Sequence, residues 1–390
     1  MSFQQRPPPP RWVAGQPPAF SRGPLSSLPL GVFTPTALRP KLSTPVMAPT
    51  PAVAPTPVMA PTPAVAQSAF RWDAGESTRA SLLPIRHHDV WAFRKTMESL
   101  HWTAQEVDLT RDRADWRQRM SDDQRHYVRL QLGFFARVDI DLLENIGENF
   151  IREVDCLEAE MTYAVQADQE CVHAEAYGLQ IEAVLEGAER EATLDAAARL
   201  PVVAALRAWV RQWMTRERPL GERLVAFAAI EGVMFSSSFA ALQWLRELNL
   251  LPGVVAFNEF IVRDEGVHTM FACMLIRDRL RMRPSQARAE AIFAGVVSLL
   301  DDFVDASLPV QLIGMNAALM RQYVRFQADC VLAGAGYAPV WRAANPFPFM
   351  DKLTLTAVAK TNFCEARPTQ YSAVRAAGAA RLALDDSVVD

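Results

Sequence analysis

Acidic residues are missing from the first part of this 390-residue chain: no Asp or Glu precedes Asp73, whereas 17 of the 27 prolines lie before residue 68. Proline removes a backbone donor and clashes with the preceding turn, so such a segment does not build helices. From Val46 to Ala66 the chain repeats APTPAV and APTPVM units, a low-complexity pattern that favours extended polyproline conformation and buries no core. Residues 1–72 are therefore expected to be a disordered Pro-rich leader, ahead of one domain over 73–350 and a C-terminal tail over 351–390.

Lysine is scarce too. Lys41, Lys95, Lys352 and Lys360 are the only four among 40 basic residues, and the formal net charge is −4. So weak a charge gives nucleic acid and anionic membranes no electrostatic reason to bind. The five cysteines, Cys156, Cys171, Cys273, Cys330 and Cys364, show no CxxC pairing, which argues against a disulfide framework and for a reducing, cytoplasmic setting. No compact apolar run with a small-residue cleavage site stands at the N-terminus, so no secretory signal is expected.

After Asp73, alternating runs bounded by turn residues are nearly absent and apolar residues recur at helical spacing. The fold class expected is all-α. Long helices are predicted over 122–148, 153–184, 218–246, 254–281, 285–305 and 310–334, with breaks at Pro252-Gly253 and Arg283-Pro284. Leu224 to Leu245 carries one charged residue, Glu231, and is long enough to cross a bilayer. A carboxylate at mid-span is costly in lipid, so the segment reads instead as a central helix of a large bundle.

Glu170-Cys-Val-His173 and Glu265-Gly-Val-His268 each put a carboxylate and an imidazole on one helix face. The motif alone means little, because Glu98-Ser-Leu-His101 matches it as well. Context separates them: Asp139 stands 31 residues before Glu170 and Glu231 stands 34 before Glu265, while Glu98 has no such partner. At 1.5 Å per residue, about thirteen residues up, a short turn and thirteen down return a chain to the same height. Two such hairpins pack as a four-helix bundle. Asp139 lies in an apolar stripe of Val128, Leu132, Phe135, Leu142, Leu143 and Ile146, and Glu231 lies between Leu224, Phe227 and Phe235.

Acids that face a core need compensation, since an unpaired buried charge costs several kcal/mol. The stripes contain no Arg or Lys to supply it. Two divalent cations would balance four carboxylates, and a carboxylate-rich set with one His per metal suits iron or manganese better than structural zinc. Asp139, Glu170, His173, Glu231, Glu265 and His268 are the expected ligands. Such a centre can store iron, oxygenate a substrate or oxidise a nearby side chain. Tyr177, seven residues after Glu170, and Tyr163, seven before it, share the ligand face. Tyr177 is the nearer to His173 in sequence, and a core tyrosine with a satisfied hydroxyl is the plain alternative for either.

Four segments taken together, Phe134-Phe135-Ala-Arg-Val-Asp139, Glu170-Cys-Val-His173-Ala-Glu-Ala-Tyr177, Glu231-Gly-Val-Met-Phe235 and Arg263-Asp264-Glu265-Gly-Val-His268, resemble the small subunit of class I ribonucleotide reductase in order and spacing. The resemblance spans roughly 86–371. It implies a ferritin-like helical bundle, a diiron centre on the six ligands, for which manganese is the alternative metal, and a radical on Tyr177 formed with dioxygen. Phe235, Phe239 and Ile261 match the family's apolar pocket around that tyrosine. Trp102 and Asp264 match its route for the radical, and His173 is the metal end of that route.

Thr361-Asn-Phe-Cys-Glu-Ala-Arg367 and Tyr371 resemble the family's last ordered segment and its tail relay, and Leu384 to Asp390 its peptide for docking to the large subunit. The implied protein is a homodimer that reduces ribonucleotides to deoxyribonucleotides only together with that large subunit. Cys171, Ile140 and Cys364 depart from the pattern without removing a ligand or a relay residue. The leader, the Arg-rich composition and the Val-Val ending resemble a herpesvirus-type member. Two rivals stand beside this reading: a diiron oxidase or ferroxidase of the same fold, which needs neither Tyr177, Trp102 nor Tyr371, and a catalytically idle homologue kept as a binding partner.

Overall fold

Ser121 opens the first helix of the site. Its hydroxyl accepts the Gln124 backbone N–H at 3.2 Å while the Gln124 amide oxygen accepts the Ser121 N–H at 2.9 Å, a reciprocal pair that satisfies two otherwise orphaned donors. The computed structural model describes residues 68–73, 75–76, 79–185, 187–307 and 315–351, without the side chains of 137, 139, 188, 197 and 198. The leader up to residue 67, the tail from 352 with Cys364 and Tyr371, and the predicted helical turn at 310–314 lie outside the described residues.

Twelve helices are found among them: α1 His88–Ser99, α2 Thr110–Gln118, α3 Asp122–Asn145, α4 Ile151–Glu153, α5 Leu157–Val184, α6 Gly187–Arg199, α7 Pro201–Met214, α8 Leu220–Ala229, α9 Ser236–Glu247, α10 Pro252–Met274, α11 Gln286–Ser307 and α12 Ala317–Gly334. No strand forms among the described residues, and an isolated antiparallel bridge joins Phe70 to Leu280. The all-α expectation holds, and the predicted long helices appear. The short helices α1, α2, α6 and α7 were not among the predicted ones. Helices α3 and α5 pack on each other, as do α10 and the run α8–α9, and α5 meets α10 while α3 meets α9, so the two predicted hairpins lie side by side.

The predicted break at Pro252-Gly253 has a physical cause. Before α10, Leu251 takes a left-handed conformation (φ 47°) and Pro252 follows as the first helical residue, where its missing N–H costs nothing. Asp112 of α2 accepts the N–H groups of Gly253 at 3.0 Å and Val254 at 2.8 Å, placing a negative charge on the positive end of α10. A Cβ on Gly253 would come within 2.8 Å of the Asp108 carbonyl oxygen, so glycine is needed there.

Three helices contain a wider π-type turn: Ile146–Phe150 between α3 and α4, Ile230–Met234 between α8 and α9, and Leu275–Arg279 after α10. The apolar run Leu220–Glu247 would suffice in length and composition for a membrane span, but 94% of its most apolar window is buried inside the fold. The body also begins ahead of residue 73: Phe70 is 2% exposed and the Trp72 indole donates to the Val154 carbonyl at 2.5 Å.

Candidate metal centre

Glu170 and His173 lie on α5, Glu231 in the π-type turn between α8 and α9, and Glu265 and His268 on α10. All five side chains are buried. Glu170, Glu231, Glu265 and His268 each offer a ligand atom, and these atoms lie within 4.8 Å of one another. His173 Nδ1 is 3.2 Å from Glu170 Oε2 and 3.1 Å from Glu265 Oε1. His268 Nδ1 is 3.2 Å from Glu170 Oε1, 3.5 Å from Glu265 Oε2 and 3.8 Å from Glu231 Oε2. Glu170 and Glu265 thus each present one oxygen to each imidazole, and Glu231 stands on the His268 side. Asp139 belongs to α3, and its side chain lies outside the described residues.

No Arg or Lys pairs with Glu170, Glu231 or Glu265 among the described residues; their only charged partners are the two histidines. Glu170 Oε1, Glu231 Oε2, Glu265 Oε2 and His268 Nδ1 are buried and, close as they lie, form no well-aligned hydrogen bond, a state that native interiors avoid unless something else satisfies the group. Burial and the neighbouring Glu265 and Glu170 carboxylates raise the Glu231 carboxyl well above its ordinary value. Burial opposes the charged forms of both histidines, yet the carboxylates outweigh it: Asp264, Glu170 and Glu265 hold His173 high, and Glu170, Glu231 and Glu265 hold His268 high. Protons here stand in for cations, and the donor set of carboxylates and imidazoles fits two metal ions.

The outward nitrogens are held as well. His173 Nε2 lies 3.4 Å from Asp264 Oδ2, the oxygen that accepts the Trp102 indole N–H at 2.7 Å. Arg263 holds the other Asp264 oxygen at 3.1 Å and donates to the Leu100 carbonyl at 2.7 Å. The Trp102 and His173 rings stack with centroids 6.1 Å apart. His268 Nε2 lies 3.0 Å from the Gln169 amide oxygen, and the Gln166 amide donates to Glu231 Oε1 at 3.0 Å. Such outer partners fix the tautomer and orientation of a metal-binding imidazole. Sequence reasoning missed Gln166 and Gln169, and quoted Arg263 in its motif without a role. Their signal is positional: both amides lie on α5 within one turn of Glu170.

Tyr177 is 2% exposed and stacks on Phe135, with centroids 4.7 Å apart and planes at 11°. Phe135 in turn meets Phe235 at 5.5 Å and Phe239 at 5.1 Å, and Ile261 is buried in the same core. Tyr163 is buried as well, packed between Phe150 and Phe271. Its hydroxyl has no hydrogen-bond partner, and burial, then the Glu231 charge, push its ionisation up. The decoy motif is a surface feature: Glu98 pairs with Arg94 and Lys95, and His101 is exposed. Asp141 shows what ordinary compensation looks like. It is buried against α7 and paired with Arg207 at 2.8 Å and Arg211 at 3.2 Å.

The family described as "Ribonucleotide reductase, small chain" matches residues 79–346. The ribonucleoside-diphosphate reductase small chain of African swine fever virus (strain Badajoz 1971 Vero-adapted) is 40% identical over 300 residues, covering 76% of this chain and 90% of that one. The reductase subunit M2 of Mesocricetus auratus is also 40% identical, over 295 residues and 75% of each chain. In fold, the chain is similar to the ribonucleotide reductase Rnr4 homodimer from Saccharomyces cerevisiae, with a TM-score of 0.65 and 32% identity over 70% of this chain and 86% of that one. With the ligand geometry and two thirds of its length accounted for in this way, the chain belongs to the ribonucleotide reductase small chain family.

Proposed function

We propose that this chain generates the radical for a ribonucleoside-diphosphate reductase: it oxidises Tyr177 at a two-metal centre and relays the oxidising equivalent through His173, Asp264 and Trp102, then Tyr371 in the tail, to a large subunit. The observation that carries this reading is that Glu170 and Glu265 each offer one oxygen to each imidazole, with no Arg or Lys among the described residues to balance them. Asp139, Glu170, His173, Glu231, Glu265 and His268 would hold the pair. Bound there, two iron ions supply the reduction of dioxygen and the one-electron oxidation of a phenol; manganese is the alternative occupant.

The protein's own residues do the rest. Phe135, Phe235, Phe239 and Ile261 exclude water and reductants from Tyr177, on which the lifetime of a phenoxyl radical depends. Asp264 accepts a hydrogen bond from the Trp102 indole N–H at 2.7 Å and faces His173 Nε2, so one carboxylate joins the metal end of the relay to the tryptophan. Arg263 balances its charge. On this reading the chain works as a homodimer in the cytoplasm, its 351–390 tail binding the large subunit, with no activity on nucleotides alone.

The test loads metal-free protein with ferrous iron, admits air and records electron paramagnetic resonance. A tyrosyl signal is expected in the wild type and none in Tyr177→Phe. A signal that survives Tyr177→Phe and disappears in Tyr163→Phe moves the radical to Tyr163. No signal with either iron or manganese overturns the radical-generating role and leaves the oxidase or ferroxidase rival.

A further inference from the structure

A second group of metal-ligand side chains lies where the segment before α1 crosses the start of α5. Glu76, His87, Cys156 and Glu158 are 6%, 3%, 1% and 0% exposed, and each offers one ligand atom within 4.8 Å of the others. Glu158 precedes Glu170 by twelve residues on the same helix, a separation of about 18 Å along the axis, so this group is distinct from the centre described above.

Ion pairing accounts for part of it. Arg79 donates to both Glu158 oxygens at 2.7 and 2.8 Å, and Arg86 donates to Glu76 at 2.8 Å through its side chain and to Glu158 at 2.9 Å through its backbone. That network explains the carboxylates and leaves His87 unexplained. His87 Nε2 is buried with no hydrogen-bond partner, 3.8 Å from Glu76 Oε1. The Cys156 thiol donates a long hydrogen bond to Glu158 Oε2 at 3.7 Å, which places its sulfur against the carboxylates. Each carboxylate offers about four lone-pair sites, so both retain capacity beyond their arginines.

We infer that Glu76, His87, Cys156 and Glu158 form a structural site for one divalent cation of the zinc type, clipping the segment before α1 to the first turn of α5. One thiolate, one imidazole and two carboxylate oxygens make a closed four-ligand set, and a soft sulfur beside nitrogen favours zinc over magnesium or calcium. The charges close as well. A divalent ion, a thiolate, two carboxylates and Arg79 sum to zero once Arg86, whose side chain is 41% exposed, turns out to solvent. Burial, with Glu158 and Glu76 nearby, pushes the free Cys156 thiol up to about 12, so binding must release its proton.

Cobalt(II) is the probe, added to the metal-free full-length protein. The two-metal centre has no cysteine ligand, so a thiolate-to-cobalt charge-transfer band in the near ultraviolet reports on the second site alone. The band is expected to reach the intensity of one cobalt–thiolate site per chain, to persist in Glu231→Ala and Cys171→Ser, to vanish in Cys156→Ser and to bleach when zinc is added. His87→Ala should weaken cobalt binding by at least the roughly 10–100-fold that loss of a supporting hydrogen bond costs a metal site. The wild-type titration needs no variant to fold, and circular dichroism checks helicity in each variant. No band in the wild type, a band that survives Cys156→Ser, or unchanged affinity in His87→Ala would overturn the assignment.

Discussion

The indole N–H of Trp102 meets the carboxylate of Asp264 at 2.7 Å, in an interior where the two residues are 2% and 0% exposed. The two are 162 positions apart in the chain, so the contact is made by the packing of the segment before α2 against α10. A buried hydrogen bond to a charged acceptor is among the stronger ones a protein forms. Trp102→Phe keeps much of the ring packing and removes the donor. Turnover with the large subunit is expected to fall roughly 10- to 100-fold, while metal content and the tyrosine signal stay at wild-type levels. A variant that loses the signal and turnover together would place Trp102 in the making of the radical, not in its transfer.

Gln169 faces His268 Nε2 at 3.0 Å. Gln169→Leu leaves that nitrogen without its acceptor inside the core, at a cost of about 1–3 kcal/mol. Metal affinity should drop roughly 10- to 100-fold, measured by competition with a chromogenic chelator, with the ion beside His268 lost before the one beside His173.

Gly232 follows Glu231 in the π-type turn, and a Cβ there would come within 2.5 Å of Val331 Cγ2 and 2.7 Å of Thr269 Cγ2. Both neighbours are β-branched and stiff. Gly232→Ala should therefore cost roughly 1–3 kcal/mol through overpacking, lowering Tm by about 2–4 °C per kcal/mol in calorimetry of the metal-free protein. An unchanged Tm would mean that α12 can withdraw from the turn.

Burial opposes the charge on Glu158, but hydrogen bonds from Arg79 and the Arg86 backbone prevail and lower its carboxyl to about 2. A folded value below the unfolded one contributes stability that is fully present above about 4.5 and is lost as pH falls toward about 2. Acid unfolding followed by circular dichroism should show that loss, and Arg79→Gln should move the midpoint to higher pH.

Legibility in the sequence followed the cost of burial. Glu231 was readable because one acid in a long apolar run has no cheap explanation, and the ExxH pairs were readable because each had a carboxylate one hairpin earlier. Gln166 and Gln169 were not, since an amide in a helix is ordinary until its partner is known. Helices α6 and α7 fill the stretch between the predicted helices 153–184 and 218–246, where Pro201, the first residue of α7, interrupts the pattern. Leu143, placed in the apolar stripe, is only half-buried, and Ile140 is 60% exposed. The π-type turn at Glu231 could not be seen at all, because a helix that is apolar all round shows no phase to shift.

That turn has a consequence for how length is specified. A π-type turn takes one residue more than an α-turn, and one residue is about 100° of rotation. Segments α8 and α9 therefore behave as two cams on one shaft, set at an angle by the five residues Ile230–Met234. Removing a single residue there would leave composition and hydropathy nearly untouched. It would nevertheless rotate Phe235 and Phe239 away from Phe135, uncoupling the wall around Tyr177 from the helix that carries Glu231, so that residue count in this stretch is as much a part of the site as residue identity.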